Sequence, residues 1–299
     1  MEKEHKHKIV KHREDYINEW SYDDELDIVY DLLRRAKKIE KEITKDFLEA
    51  LEKLWEVYKE QFPFYYKADI LNKNELQKLF LSLQNTKSLS QLETKLSAAI
   101  KEFERKTEQL QQRKMLSYFI LAYELTSQKT AASLARHGFE VTPQKMQQIL
   151  EPHKIEVEVT KPWCNDNQAF LDRIAKNCRS LETNLKQIIY KGIKEGWTFE
   201  KMSKALVEQT GIAAYKAARL IRTETMAVYA KATKETMLAG GVEYVEIIGD
   251  AECGGICLDY VGEGIPLREA MIGLDLPPYH PNCACSFCTY IEDEEIEKE

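Results

Sequence analysis

The chain has 299 residues, a formal net charge of −7, 31% charged residues and only 12 glycines. That acidic balance argues against a dedicated duplex-binding surface, because non-specific affinity rests on neutralising phosphates with Lys and Arg. The scarcity of glycine and the abundance of charge suit long solvated helices better than a sheet-rich fold, and no apolar run approaches the roughly 20 residues that span a bilayer.

Met1 to Lys11 is charged and has no apolar core, so no secretory leader is expected and residues 1–22 read as a flexible leader. In it His5, His7 and His12 read as polar tail rather than metal ligands. From Asp23 to Phe62, Leu26, Val29, Leu33, Ala36, Ile39, Ile43, Phe47, Ala50, Leu54 and Tyr58 recur in steps of three and four, which predicts one long amphipathic helix ended by Pro63. A helix of that length needs a partner for its apolar stripe. Asn72 and Glu75 form a capping box for a short helix to about Leu83, and Ser88 to Arg136 reads as a second long helix. The two long helices are expected to pair as an elongated antiparallel hairpin, with the aromatic run Phe62 to Tyr66 at its turn.

His137-Gly138 reads as a helix C-terminus, and Thr142-Pro143 as the cap and first residue of the next helix. Ile155 to Thr160 alternates apolar and acidic residues, which predicts a short strand or extended linker. A boundary placed there gives an N-terminal helical domain over 23–155 and an α-rich C-terminal domain over 156–290. Helices follow over Asp166–Cys178, Ser180–Glu195 and, after a Thr198 cap, Lys201–Gln209 closed by Gly211. Ile212–Ala239 is the next, closed by Gly240-Gly241, and Tyr244–Ile248 is the clearest strand. The acidic tail 291–299 ends the chain.

Five of the seven cysteines lie between Asp250 and Cys288. In a reducing compartment such a cluster favours metal over disulfides. Tetrahedral zinc takes its ligands as pairs from two short turns. Cys253 and Cys257 give one pair; His280 with Cys283 or Cys285 gives the other, and Cys288 ranks behind them. The metal-free alternative is a set of reduced thiols around a small core. Cys164 and Cys178 read as ordinary buried or half-buried residues.

Asp250, the Cys253/Cys257 pair and the run Pro277-Pro278-Tyr279-His280-Pro281-Asn282-Cys283-Ala284-Cys285 resemble the C-terminal signature of the phage Mu F-like minor head proteins, also called phage head morphogenesis proteins. Arg219-Leu220-Ile221-Arg222-Thr223-Glu224-Thr225 resembles that family's RxxRTE segment, and Gly240 to Val245 its helix-to-strand exit. Ala284 stands where the family has arginine, and the first cysteine pair carries one extra residue. The resemblance covers roughly Trp163 to Phe287. It implies a minor head protein of a tailed phage or prophage, made in the host cytoplasm, joining the portal during procapsid assembly and retained in the virion. Scaffold, major capsid protein and packaged DNA are the further candidate partners; a membrane is not among them.

Arg219 and Arg222 are candidates for structural pairing. An Arg222 held by Glu224, Asp250 or Asp259 would lock the RxxRTE helix to the cysteine lobe, since the planar guanidinium grips a carboxylate and carbonyls together. Catalysis is not expected. A metal nuclease needs a histidine base besides its ligands, and His280 is better used as a ligand. An ADP-ribosyltransferase needs its arginine on a strand and an E-x-E turn, whereas Arg222 falls on a helix and Glu243 and Glu246 are spaced E-x-x-E. The alternative to assembly is a DNA-associated or enzymatic head protein.

Overall fold

The computed structural model describes residues 22–61, 87–164, 166–195, 197, 199–249, 257 and 264–290. The leader up to residue 21, the aromatic run Phe62 to Tyr66, the short helix over 72–83, the Thr198 cap, Asp250, Cys253, Asp259 and the acidic tail all lie outside the described residues. Among the described residues the order is α1 (Tyr22–Gln61), α2 (Lys87–Arg136), α3 (Pro143–Ile149), α4 (Pro152–Thr160), α5 (Phe170–Glu195), α6 (Phe199–Gly240), β1 (Tyr244–Ile248), β2 (Ile265–Pro266) and β3 (Ser286–Thr289). The protein is mainly helical with a small antiparallel sheet, as the sequence led one to expect. None of these helices is long and apolar enough to cross a membrane.

The chain divides into two compact units whose boundaries fall inside α1, α2 and α6 and at the first residue of α5. The first holds the described residues of Met1–Lys37, Leu116–Phe170 and Arg219–Glu299; the second holds those of Lys38–Met115 and Leu171–Ala218.

Among the described residues the second unit is built only from helices. On α1 the expected stripe is buried at Ile43, Phe47 and Leu54, joined by Leu51, and α2 buries Ile100, Phe103 and Met115. Each such aliphatic or aromatic burial contributes about 1.5–3 kcal/mol. Lys114 of α2 reaches Asp46 of α1 at 2.6 Å and Glu42 at 3.5 Å. α5 runs unbroken where two helices were expected. No glycine or proline interrupts it near Cys178, and Ile174, Cys178, Leu181, Leu185 and Ile189 form one continuous buried seam. The same correction applies to α6, a single helix of 42 residues that passes through Gly211. One interior glycine costs only about 1 kcal/mol, less than the burial of Leu206, Ala213 and Ala217 on either side returns.

In the first unit, α1 buries Ile28, Val29, Leu32 and Ala36, and Tyr118 of α2 donates to the Leu32 carbonyl at 2.6 Å. Lys129 of α2 meets Asp31 at 3.4 Å. The segment 155–160 is helix α4, not a strand. Pro152 stands at its first turn, and the Glu151 carboxylate accepts from the amides of His153 and Lys154. Its alternation is misleading because Ile155 and Val159, four apart, are the buried pair, while Val157 between them is exposed.

α2 and α6 end in the same way. At Gly138 (φ 82) the Phe139 amide returns to the Leu134 carbonyl, and at Gly241 (φ 88) the Val242 amide returns to Met237. The left-handed glycine turns the chain so that each closing pair packs on itself. Both pairs enter one core cluster with Val245, Ile247, Leu267, Leu276 and Phe287. That core backs the sheet, ordered β2-β1-β3, in which Val245 pairs with Thr289, Glu246 with Cys288, Ile247 with Phe287 and Ile248 with Ser286.

Below the sheet lies a buried polar relay. Tyr229 of α6 donates its hydroxyl to Glu25 of α1 at 2.5 Å and also meets the Ser286 hydroxyl of β3. Burial, followed by the Glu25 charge, pushes the Tyr229 hydroxyl well above its usual range.

Candidate metal centre

Cys257 comes to the site from between β1 and β2, and the chain between β2 and β3 supplies the rest of it and touches α6 through Thr223. The segment 271–276 folds into a tight turn. The Gly273 amide donates to Leu276 O at 2.7 Å, the Leu276 amide donates to Met271 O at 3.0 Å, and the Asp275 carboxylate accepts from the Met271 amide at 2.7 Å. Tyr279 then donates its hydroxyl to Asp275 O at 3.0 Å; of the residues that follow, Pro281 and Asn282 are exposed, His280 is half-buried and Cys283 is buried. The Cys283 amide closes a turn on His280 O at 3.1 Å, with Asn282 in the left-handed region at φ 63.

This turn brings His280 and Cys283 against Cys257. The Cys257 Sγ lies 3.2 Å from His280 Nε2 and 3.7 Å from Cys283 Sγ, and the three donor atoms fall within 4.8 Å of one another. Two thiolates on a tetrahedral zinc at about 2.3 Å stand about 3.8 Å apart, so the donor set fits that ion in chemistry and spacing. The Cys283 thiol is pulled down to about 5, chiefly by the hydrogen bond from the Cys285 thiol, with help from backbone groups of Tyr279 and Cys285 and from the Cys257 thiol, against the opposing effect of burial. The shift is towards the thiolate, the form that ligates metal.

Cys285 is fully buried beside Cys257 and Cys283, with Tyr279 packed over them, but the three-donor cluster is Cys257, His280 and Cys283. Cys288 sits on β3 opposite Glu246, its Sγ 3.7 Å from that carboxylate. Cys164 donates to the Asp166 carboxylate at 3.0 Å. Cys178 is buried in the helical unit, accepts from Gln111 at 3.3 Å, and is pushed up to about 12 by burial.

On α6, Arg219 is exposed, Arg222 is half-buried and Glu224 is buried. The Glu224 carboxylate accepts from the Trp163 indole at 2.8 Å. The Trp163 ring also lies against the 271–276 turn, where a Cβ on Gly273 would come 3.2 Å from it. Thr223 accepts from the Asn282 amide at 3.0 Å and donates to Arg219 O at 2.8 Å. Neither Trp163 nor Thr223 stood out as functional in the sequence. Trp163 carried one signal, an indole donor in a charged stretch that needs an acceptor once buried. Lys231, one face further along, donates to the Glu158 and Lys161 carbonyls, both at 2.7 Å, and closes the C-terminus of α4.

Taken together, the fold and site define a helical protein whose C-terminal segment is tied to its last helix around a Cys–His cluster. Residues 183–288 match the model of a family described as Phage Mu protein F like protein, which bears out the resemblance over that span. No curated protein matches the chain. A computationally designed three helix bundle aligns with 81% of this chain and 100% of its own length at 16% identity, with a TM-score of 0.26, a likeness too weak to bear on fold or function.

Proposed function

We propose that the chain is a minor head protein of a tailed phage or prophage, acting in head morphogenesis through the portal and staying in the virion as a non-enzymatic part. The observation that carries this reading is the family match over residues 183–288. In this reading the protein is made in the host cytoplasm, and scaffold, major capsid protein and packaged DNA are secondary contacts.

Zinc is proposed as a structural ion. Cys257, His280 and Cys283 would hold it, with Cys253 of the C-x3-C pair as fourth ligand and Cys285, whose thiol serves Cys283, as the alternative. When bound, the ion would supply cross-linking of two loop segments rather than a reactive position, because four protein donors close the shell. Thr223 and Asn282 would join that cross-link to α6.

Two measurements test the proposal. Co-expression with the cognate portal protein should yield a complex that survives gel filtration, and deletion of the gene should halt or deform procapsids; normal procapsids without the protein refute the assembly role. Elemental analysis of chain purified without chelator should give about one zinc per chain, and protein free of metal refutes the ion.

A further inference from the structure

We infer that Thr223 is the positioning residue of the metal site, an inference that rests on the metal reading above. Asn282 occupies the left-handed backbone region at φ 63, which asparagine adopts more readily than other residues with a side chain, so the turn forms easily and its orientation is set by the contact its amide makes. That contact is with Thr223. Its side chain is buried, and its single hydroxyl proton is committed to Arg219 O at 2.8 Å one helical turn back. Only oxygen lone pairs therefore face the turn, and the Asn282 amide donates to them at 3.0 Å. The direction of that bond is set by α6, which carries both Thr223 and the Arg219 carbonyl.

The consequence reaches the donors through the chain itself. His280 precedes Asn282 by two residues and Cys283 follows it by one, and the Cys283 amide closes on His280 O. Fixing the Asn282 peptide fixes two of the three donor atoms together against Cys257. Partners of this kind, which orient ligands without touching the ion, change metal affinity by roughly 10–100-fold when removed. Thr223 and Glu224 thus divide the work of one helical segment: Thr223 sets the ligand turn, and Glu224 sets Trp163 and the turn over 271–276.

The test uses the purified full chain with Co2+ as a spectroscopic probe and Zn2+ in competition with a chelator. Thr223→Val keeps the shape and removes the hydroxyl, and it should weaken Co2+ binding roughly 10–100-fold and alter the thiolate-to-metal absorption. Thr223→Ser restores the hydroxyl and should return both toward wild type. Thr236→Val is the control, because Thr236 is buried on the same helix and bonds back to Ala232 O at 2.8 Å in the same manner; it should leave the metal unaffected. Exchange of the Asn282 amide with solvent, read in parallel without metal, should quicken roughly five- to tenfold in Thr223→Val. Equal loss of affinity in Thr223→Val and Thr236→Val refutes positioning in favour of general destabilisation. Unchanged affinity with unchanged Asn282 exchange refutes it outright. A wild-type chain that takes up neither ion refutes the metal reading instead, and the two failures stay distinct because the exchange comparison decides the Thr223 contact by itself.

Discussion

Gly211 and Gly241 both have open space where a side chain would begin, with no atom within 4 Å of a Cβ built on either. They differ in backbone conformation alone. Gly211 is exposed in the interior of α6, whereas Gly241 turns the chain out of that helix at φ 88. Alanine at 211 meets nothing and removes the excess freedom of glycine from the unfolded chain, so Gly211→Ala is expected to stabilise by about 0.5–1 kcal/mol. Alanine at 241 also meets nothing but must adopt a left-handed conformation, so Gly241→Ala is expected to destabilise by about 1–2 kcal/mol. For a chain of this size each kcal/mol moves the melting midpoint by roughly 2–4 °C. Urea unfolding and scanning calorimetry of the full chain should therefore show the two variants on opposite sides of wild type. If Gly211→Ala lowers the midpoint, the helix breaks at Gly211 and α6 is really two helices, which is what the sequence alone suggested.

Burial lowers the Lys231 ammonium to about 8 from 10.5, so between those values the unfolded chain holds more protons and stability should rise with pH. Compared with Lys231→Met, wild type should gain on the order of 1–3 kcal/mol from pH 8 to pH 10, and parallel pH profiles would refute this. Thr130 is fully buried and its hydroxyl has no hydrogen-bond partner among the described residues, so Thr130→Val should stabilise by about 1 kcal/mol in urea unfolding, and a loss would reveal a partner. Trp163→Phe removes a donor from the buried Glu224 and should cost about 1.5–3 kcal/mol; a neutral result would mean that the indole bond does not hold this corner.

What the sequence made legible were patterns with a period. The α1 stripe, the Thr142-Pro143 start, the left-handed exits at Gly138 and Gly241, and β1 are each written in neighbouring residues. Errors arose where local signals competed with packing. The alternation over 155–160 fits a strand only until Pro152 and Glu151 start a helix, and Gly211 reads as a stop only if nothing packs on both sides of it. Within the cysteine cluster, spacing offered Cys253, Cys257 and His280 with either Cys283 or Cys285 as donors; it could not choose between the last two, nor show that Cys285 hydrogen-bonds to Cys283 or that Cys288 belongs to the sheet. Those distinctions depend on which way each strand residue faces. The Glu224–Trp163 and Thr223–Asn282 contacts join residues about 60 positions apart, a separation at which no motif carries information.

The relay from Glu25 through Tyr229 to Ser286 bears on where this protein can be cut. The span shared with the phage family begins at residue 183, in the middle of α5, and contains Tyr229 and Ser286 but not Glu25. It also lacks Leu134, Phe139 and Val141, which pack against the sheet from the other side. An excised fragment would expose a phenol hydroxyl and an apolar wall that the intact chain covers from its first half. The span that matches the family model is thus shorter than the set of residues that buries its sheet and its polar relay. A fragment meant to carry the cysteine lobe for biochemistry needs α1 and α2 along with it.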